Sequence, residues 1–141
     1  MAVPTSTVFS QIENYTLISD VVSYCFHSVE GYSKIGVYTG NGNVDGPMVV
    51  TGFRPAWVMY KRTDSSDYWA IFDSIRSPAN VMQNRLSPNY NLAEDVSTAN
   101  QQDFLSNGFK LRGTDTTTNA SGGTYIYMAF AEAPFKYANA R

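Results

Sequence analysis

Between residues 20 and 132, apolar and polar positions alternate in short runs with a period of two, the spacing of a β-strand that buries one face. The run at 32–39 puts Tyr32, Lys34, Gly36 and Tyr38 on one face and Ser33, Ile35, Val37 and Thr39 on the other. At 55–63, Trp57, Met59 and Lys61 oppose Val58, Tyr60 and Arg62. At 124–132, Tyr125, Tyr127, Ala129 and Ala131 oppose Ile126, Met128 and Phe130. Shorter runs predict strands at 21–27, 48–51, 68–73, 103–105 and 109–112. Turn chemistry separates them: Gly31, the Gly/Asn-rich stretch 40–47, Asp64-Ser65-Ser66-Asp67, and Ser106-Asn107-Gly108. An Asn-Gly pair between two apolar runs is a strong hairpin signal. Residues 74–102 are less regular, with Ser77-Pro78, Ser87-Pro88, an Asn-rich stretch at 84–91 and one helical turn expected at 92–96. Residues 113–123 read as a flexible polar loop. Seven to nine short strands with hardly any helix predict an all-β fold, an antiparallel β-sandwich of jelly-roll-like form. No strand–helix–strand alternation is present, which excludes a parallel α/β sheet.

The first nineteen positions break this pattern. Ser6 or Thr7 caps a short helix with Val8, Ile12 and Tyr15 on one face, or the β-branched residues hold the stretch as an extended arm. Either way, the apolar groups need a surface to dock on. Val3, Pro4, Val8, Phe9, Ile12, Tyr15, Leu17 and Ile18 are therefore the candidate assembly interface. The expected organisation is an arm at 1–19 followed by a single sandwich domain at 20–141.

Composition narrows the function classes. A chain of 141 residues buries roughly 70% of its unfolded surface, enough for a core without staples. Charged residues are only 16% of the chain and the net charge is −2. The longest basic stretch is Lys61-Arg62. Nucleic-acid backbones call for clustered Lys and Arg, so no nucleic-acid partner is expected. No apolar run reaches the roughly 18 residues of a membrane span, so no insertion is expected. The sequence opens without a charged stretch leading into an apolar one, so no secretory signal is read. Cys25 is the single cysteine and lies in the apolar run at 21–26. It forms no intrachain disulfide and reads as a buried, inert thiol.

The candidate chemistry is sparse. Any Ser-His-Asp or Cys-His arrangement would have to use His27, the single histidine. It shares a strand face with Cys25, with no further ligand nearby in sequence to make a metal site. Asp64, Asp67 and Asp73 are the candidates from which a glycosidase's carboxylate pair could come, yet Asp and Ser in hairpins serve turn geometry more often. Asn41, Asn43 and Asp45 alternate in the loop 40–47 like oxygen ligands of a weak calcium site, but the bidentate acid that would complete an EF-hand loop is missing. Beyond that weak site no cofactor is expected, and no catalytic residue is assigned. Trp57, Tyr60, Tyr68 and Trp69 are candidate ligand-binding aromatics, a platform for sugar rings, with core packing the competing role.

Five blocks occur in order that together resemble a known family: YSKIGVYTGNG at 32–42, TGFRPAWVM at 51–59, KRTD at 61–64, FLSNGFKLR at 104–112 and ASGGTYIYMAFAE at 120–132. They are similar to a β-rich domain family of tailed bacteriophages, especially marine ones, found in virion structural and tail-fibre-associated proteins. The resemblance covers roughly residues 21–137 and carries over no catalytic residue. It implies a non-enzymatic virion structural protein at the virion surface, made in the bacterial host cytoplasm. Capsid decoration or cementing is the leading expectation, with contacts to other capsid or tail proteins and to itself as a homo-oligomer. A tail-fibre-type module binding a receptor or a host surface glycan is the alternative. An enzyme degrading surface polysaccharide ranks third.

Overall fold

The computed structural model describes residues 24–134. The seven strands among them are β1 (Ser33–Thr39), β2 (Met48–Val50), β3 (Pro55–Arg62), β4 (Trp69–Asp73), β5 (Gln102–Leu105), β6 (Gly108–Leu111) and β7 (Thr124–Ala131). A 3-10 turn at Thr98–Asn100 and one helical turn, α1 (Thr116–Asn119), complete the elements. Four strands form a sheet in the order β1-β7-β3-β4, and three form a second in the order β2-β6-β5. Every pairing is antiparallel. The fold is an all-β sandwich, as the alternation predicts.

The core lies between the sheets and takes one alternate set of side chains from each long strand. Val58, Tyr60, Phe72, Tyr125, Tyr127 and Ala129 come from the four-stranded sheet, and Val49, Phe104, Phe109 and Leu111 from the other. Burying one such large side chain stabilises the fold by about 1.5–3 kcal/mol. Rings dominate the contact: Tyr38 stacks on Tyr125 with centroids 4.9 Å apart, and Tyr60 meets Phe109 edge-on at 5.3 Å. Gly36 faces Tyr127 across the β1–β7 ladder. A Cβ there would sit 2.8 Å from the Tyr127 hydroxyl, so the glycine leaves room for the ring.

Three expectations are corrected. Residues 24–27 form no strand, and Cys25 is exposed rather than buried. The edge position beside β1 is taken instead by a tight turn in which Ser28 Oγ accepts from the Ile35 amide at 3.0 Å. Residues 92–96 form no helical turn, because Asp95 is drawn into a bridge with Arg85. Residues 113–123 are folded rather than flexible: Asp115 caps α1 by accepting from the Thr117 amide, and Thr117, Thr118 and Asn119 are buried. The arm at 1–19 and its candidate interface, Val3, Pro4, Val8, Phe9, Ile12, Tyr15, Leu17 and Ile18, lie outside the described residues.

Candidate functional site

Alternation has a second consequence. If Val58, Tyr60, Tyr125 and Tyr127 point inward, their strand neighbours point to the opposite face of the four-stranded sheet. On most solvated sheets those neighbours are polar. Here most of them are apolar: Ile35 and Val37 on β1, Ile126, Met128 and Phe130 on β7, Trp57 and Met59 on β3, and Trp69 and Ile71 on β4, with Ser33, Thr39, Lys61, Asp73 and Thr124 at the strand ends. Register lines them up: Ile35 pairs with Met128, Met128 with Met59, and Met59 with Ile71. One apolar row thus crosses all four strands.

A groove of about 370 Å³ opens in this face, lined by Phe26, Ile35, Met59, Trp69, Ile126, Tyr127 and Met128. Its walls stay partly accessible, with Ile126 39% exposed and Phe26 57% exposed. At one end Phe130 gathers an aromatic cluster, meeting Phe26 edge-on at 6.1 Å, Tyr32 at 5.8 Å and Trp57 at 5.7 Å. A groove of this size and lining takes an apolar segment or side chain. It offers no cluster of polar groups to orient a reacting substrate.

The four aromatics expected as a platform are not brought together. Tyr60 is fully buried, and its hydroxyl donates to Gln102 Oε1. Burial pushes that phenol well above its ordinary pKa, so Tyr60 is a core residue and leaves the platform. Tyr68 leans on Tyr90 in the neighbouring loop, with ring centroids 5.1 Å apart. Trp57 and Trp69 do share the outer face, Trp57 against Phe130 and Trp69 on the groove wall. The groove itself was legible in outline, since Ile126, Met128 and Phe130 already formed an apolar second face in the sequence. What sequence did not reveal is that β7 is an interior strand, which sets this face at the centre of the sheet.

The candidate acids are charge-paired. Asp64 and Asp67 both bind Arg62, at 2.8 and 3.0 Å, and the Arg62 hydrogen bond holds the Asp64 carboxyl below its ordinary range. Asp73 sits on another element with Arg76. Its burial works to raise its pKa, but the hydrogen bonds from Arg76 prevail and hold it low. These carboxylates are therefore salt-bridge partners of arginines. In the loop 40–47, Asn41 Oδ1 accepts from the Asn43 amide, Asn43 Oδ1 accepts from the Asp45 amide, and Asp45 pairs with Lys110 at 2.8 Å. Of the side chains that suggested a calcium site, Asn41 and Asn43 are turned onto their own loop and Asp45 onto Lys110 of β6, and no cluster of three or more His, Cys, Asp or Glu is found among the described residues. His27 is exposed, and its carbonyl accepts from Ser33 Oγ.

No curated protein and no solved structure matches the chain. A family match does span residues 1–134, which takes in both sheets, the groove and the stretch that precedes it. The chain belongs to that family, described as a domain of unknown function (DUF7483).

Proposed function

We propose that this domain is a structural component of a bacteriophage particle, working at the virion surface by protein–protein contact and not by catalysis. The observation that carries the reading is the apolar outer face of the four-stranded sheet, with its groove between Ile35, Met59, Trp69, Ile126 and Met128. Exposed apolar faces of this kind mark contact surfaces, because water disfavours leaving them bare. The ordered sequence blocks similar to phage virion proteins supply the setting. Capsid decoration or cementing is the form proposed, with other virion proteins and further copies of the chain as partners.

The test is incorporation. Ile126→Lys puts a charge on the groove wall without touching the inner core. Its assembly into particles, scored by quantitative gel analysis of purified virions, is expected to fall about tenfold or more, since one lost apolar contact is worth that much. Incorporation at the wild-type level would defeat the proposal. A second reading, a tail-fibre-type module for a surface glycan, draws on Trp57 and Trp69 sharing the outer face. Binding of the purified domain to host cells, lost in Trp69→Ala, would favour it over the first.

A further inference from the structure

We infer that the groove's occupant is the amino-terminal segment of this chain, residues 1–23, which lays apolar side chains such as Phe9 and Ile12 along Ile126, Met128 and Trp69. The inference rests on the reading of the outer face as a contact surface and names what fills it.

Four observations carry it. The described chain starts at the groove, since Phe26 forms part of its wall and packs edge-on against Phe130. Whatever precedes Phe26 is tethered beside the site, and a short tether supplies an effective concentration on the order of millimolar. The family match begins at residue 1 and not at the first strand, so the segment belongs to the same unit as the sheets. Its composition suits an apolar cleft: Val3, Val8, Phe9, Ile12, Tyr15, Leu17, Ile18, Val21 and Val22 lie within it. Its charged side chains are Glu13 and Asp20, with no Lys or Arg.

The receiving face offers one complementary charge beside the groove. Lys61 stands beside Ile126 in the β3–β7 register, and its ammonium donates to the carbonyls of Arg62 and Ser65 rather than to a carboxylate. Reach is no obstacle. Four strands span about 15 Å from first to last, whereas 23 extended residues cover about 75 Å.

The experiment is amide hydrogen exchange of residues 1–23 in the full chain, compared with Ile126→Lys and Met128→Lys. Val37→Lys is the control: Val37 is 77% exposed on the same sheet face and lies outside the groove wall. Exchange in 1–23 is expected to speed about tenfold or more in both groove variants and to stay unchanged in the control. Equal rates in all four proteins would overturn the inference. A reciprocal variant guards against misfolding of the sheet. Phe9→Ser with Ile12→Ser leaves every core residue among the described ones in place and should move tryptophan emission to the red as Trp69 is uncovered, and an unmoved spectrum would overturn the inference. Dilution separates this inference from the assembly reading. Protection of 1–23 that is lost on dilution would place the segment in a neighbouring copy's groove, overturn the inference and leave the assembly reading standing. Protection that persists in a dilute monomer supports the inference and removes the assembly role of the face. Unprotected residues 1–23, with particle incorporation still sensitive to Ile126→Lys, would overturn the inference and leave the assembly reading standing.

Discussion

A few buried polar residues decide more than their number suggests. Asn119 is completely buried and serves three partners. Its Oδ1 accepts from the Asn41 amide at 2.9 Å, and its Nδ2 donates to the carbonyls of Asn43 and Gly113 at 2.9 and 2.8 Å. One side chain thereby ties the loop 40–47 to the stretch around α1. Removing it takes this partner from an amide and two carbonyls, of which the Gly113 carbonyl is the one in a buried bond, at about 1–3 kcal/mol for each group that finds no water. Asn119→Ala is therefore expected to lose about 3 kcal/mol of stability, read as a lower urea midpoint at unchanged slope. None of this was legible in the sequence, where Asn119 stood in a polar stretch with the composition of a loose loop. A polar side chain becomes structural only when distant backbone groups converge on it. Tyr60 shows the same point from the apolar side. Its alternation assigned it to a face, but not to the face that a second sheet would cover.

At the scale of elements, local rules performed well where the pattern was strong. The β5–β6 hairpin forms where the Asn107-Gly108 pair predicts one, although its two-residue turn is Ser106-Asn107 and Gly108 already opens β6 opposite Leu105. It also does something no local rule contains, because the Asn107 carbonyl accepts from the amides of Thr51 and Gly52, which pins the end of β2. Gly108 lets β2 come close, since a Cβ there would fall 2.0 Å from the Val49 carbonyl oxygen. Backbone cannot yield as a flexible side chain does. Gly108→Ala is thus expected to push β2 away and cost about 2 kcal/mol. Faster amide exchange confined to Val49 and Phe109 would show it, and wild-type exchange at those positions would refute it. Elements failed where their stability came from elsewhere. The expected helical turn at 92–96 gives way because Arg85, nearly buried, binds Asp95 at 2.8 Å and Asp115 at 3.1 Å. A salt-bridged knot between loops overrode a weak local preference. Of the strand expected at 21–27, the described part, 24–27, is not a strand, for the related reason that β1 already has β7 on one side and the Ser28 turn on the other.

For the whole molecule, charge is scarce, and among the described residues most of it is arranged in pairs. Asp45, Asp64, Asp73 and Glu94 all have folded pKa values below their ordinary ones. For Asp45, Asp64 and Glu94 the first cause is a hydrogen bond from a basic side chain. For Asp73, burial opposes the shift and the Arg76 contacts overcome it. Lowered folded values mean that the unfolded chain takes up protons first as pH falls. The stabilisation is complete above the ordinary carboxylate range, near pH 4, and is lost as pH drops through the depressed folded values. The urea midpoint should stay level from about pH 8 to pH 5 and decline below about pH 4. Arg76→Gln, which removes the shared partner of Asp73 and Glu94, should make that decline shallower. An identical pH profile in the variant would contradict the assignment. Because these pairs are largely solvated, added salt should shrink the effect as well.

What the sequence determined by itself is the all-β class, most strand positions, the hairpin at Asn107-Gly108 and the two apolar faces of the long strands. All of these follow from period-two alternation and turn chemistry, which act over a few residues. What only the tertiary structure decided is which face became core. Tyr60 and Tyr125 went under the second sheet, whereas Ile126, Met128 and Trp69 were left to form an open groove. Strand order and sheet packing made that choice, and both depend on contacts between residues far apart in the chain. The same long-range contacts turned residues 113–123 from an apparent loop into a buried tie, and placed Phe26 at the edge of the surface on which the proposed function rests.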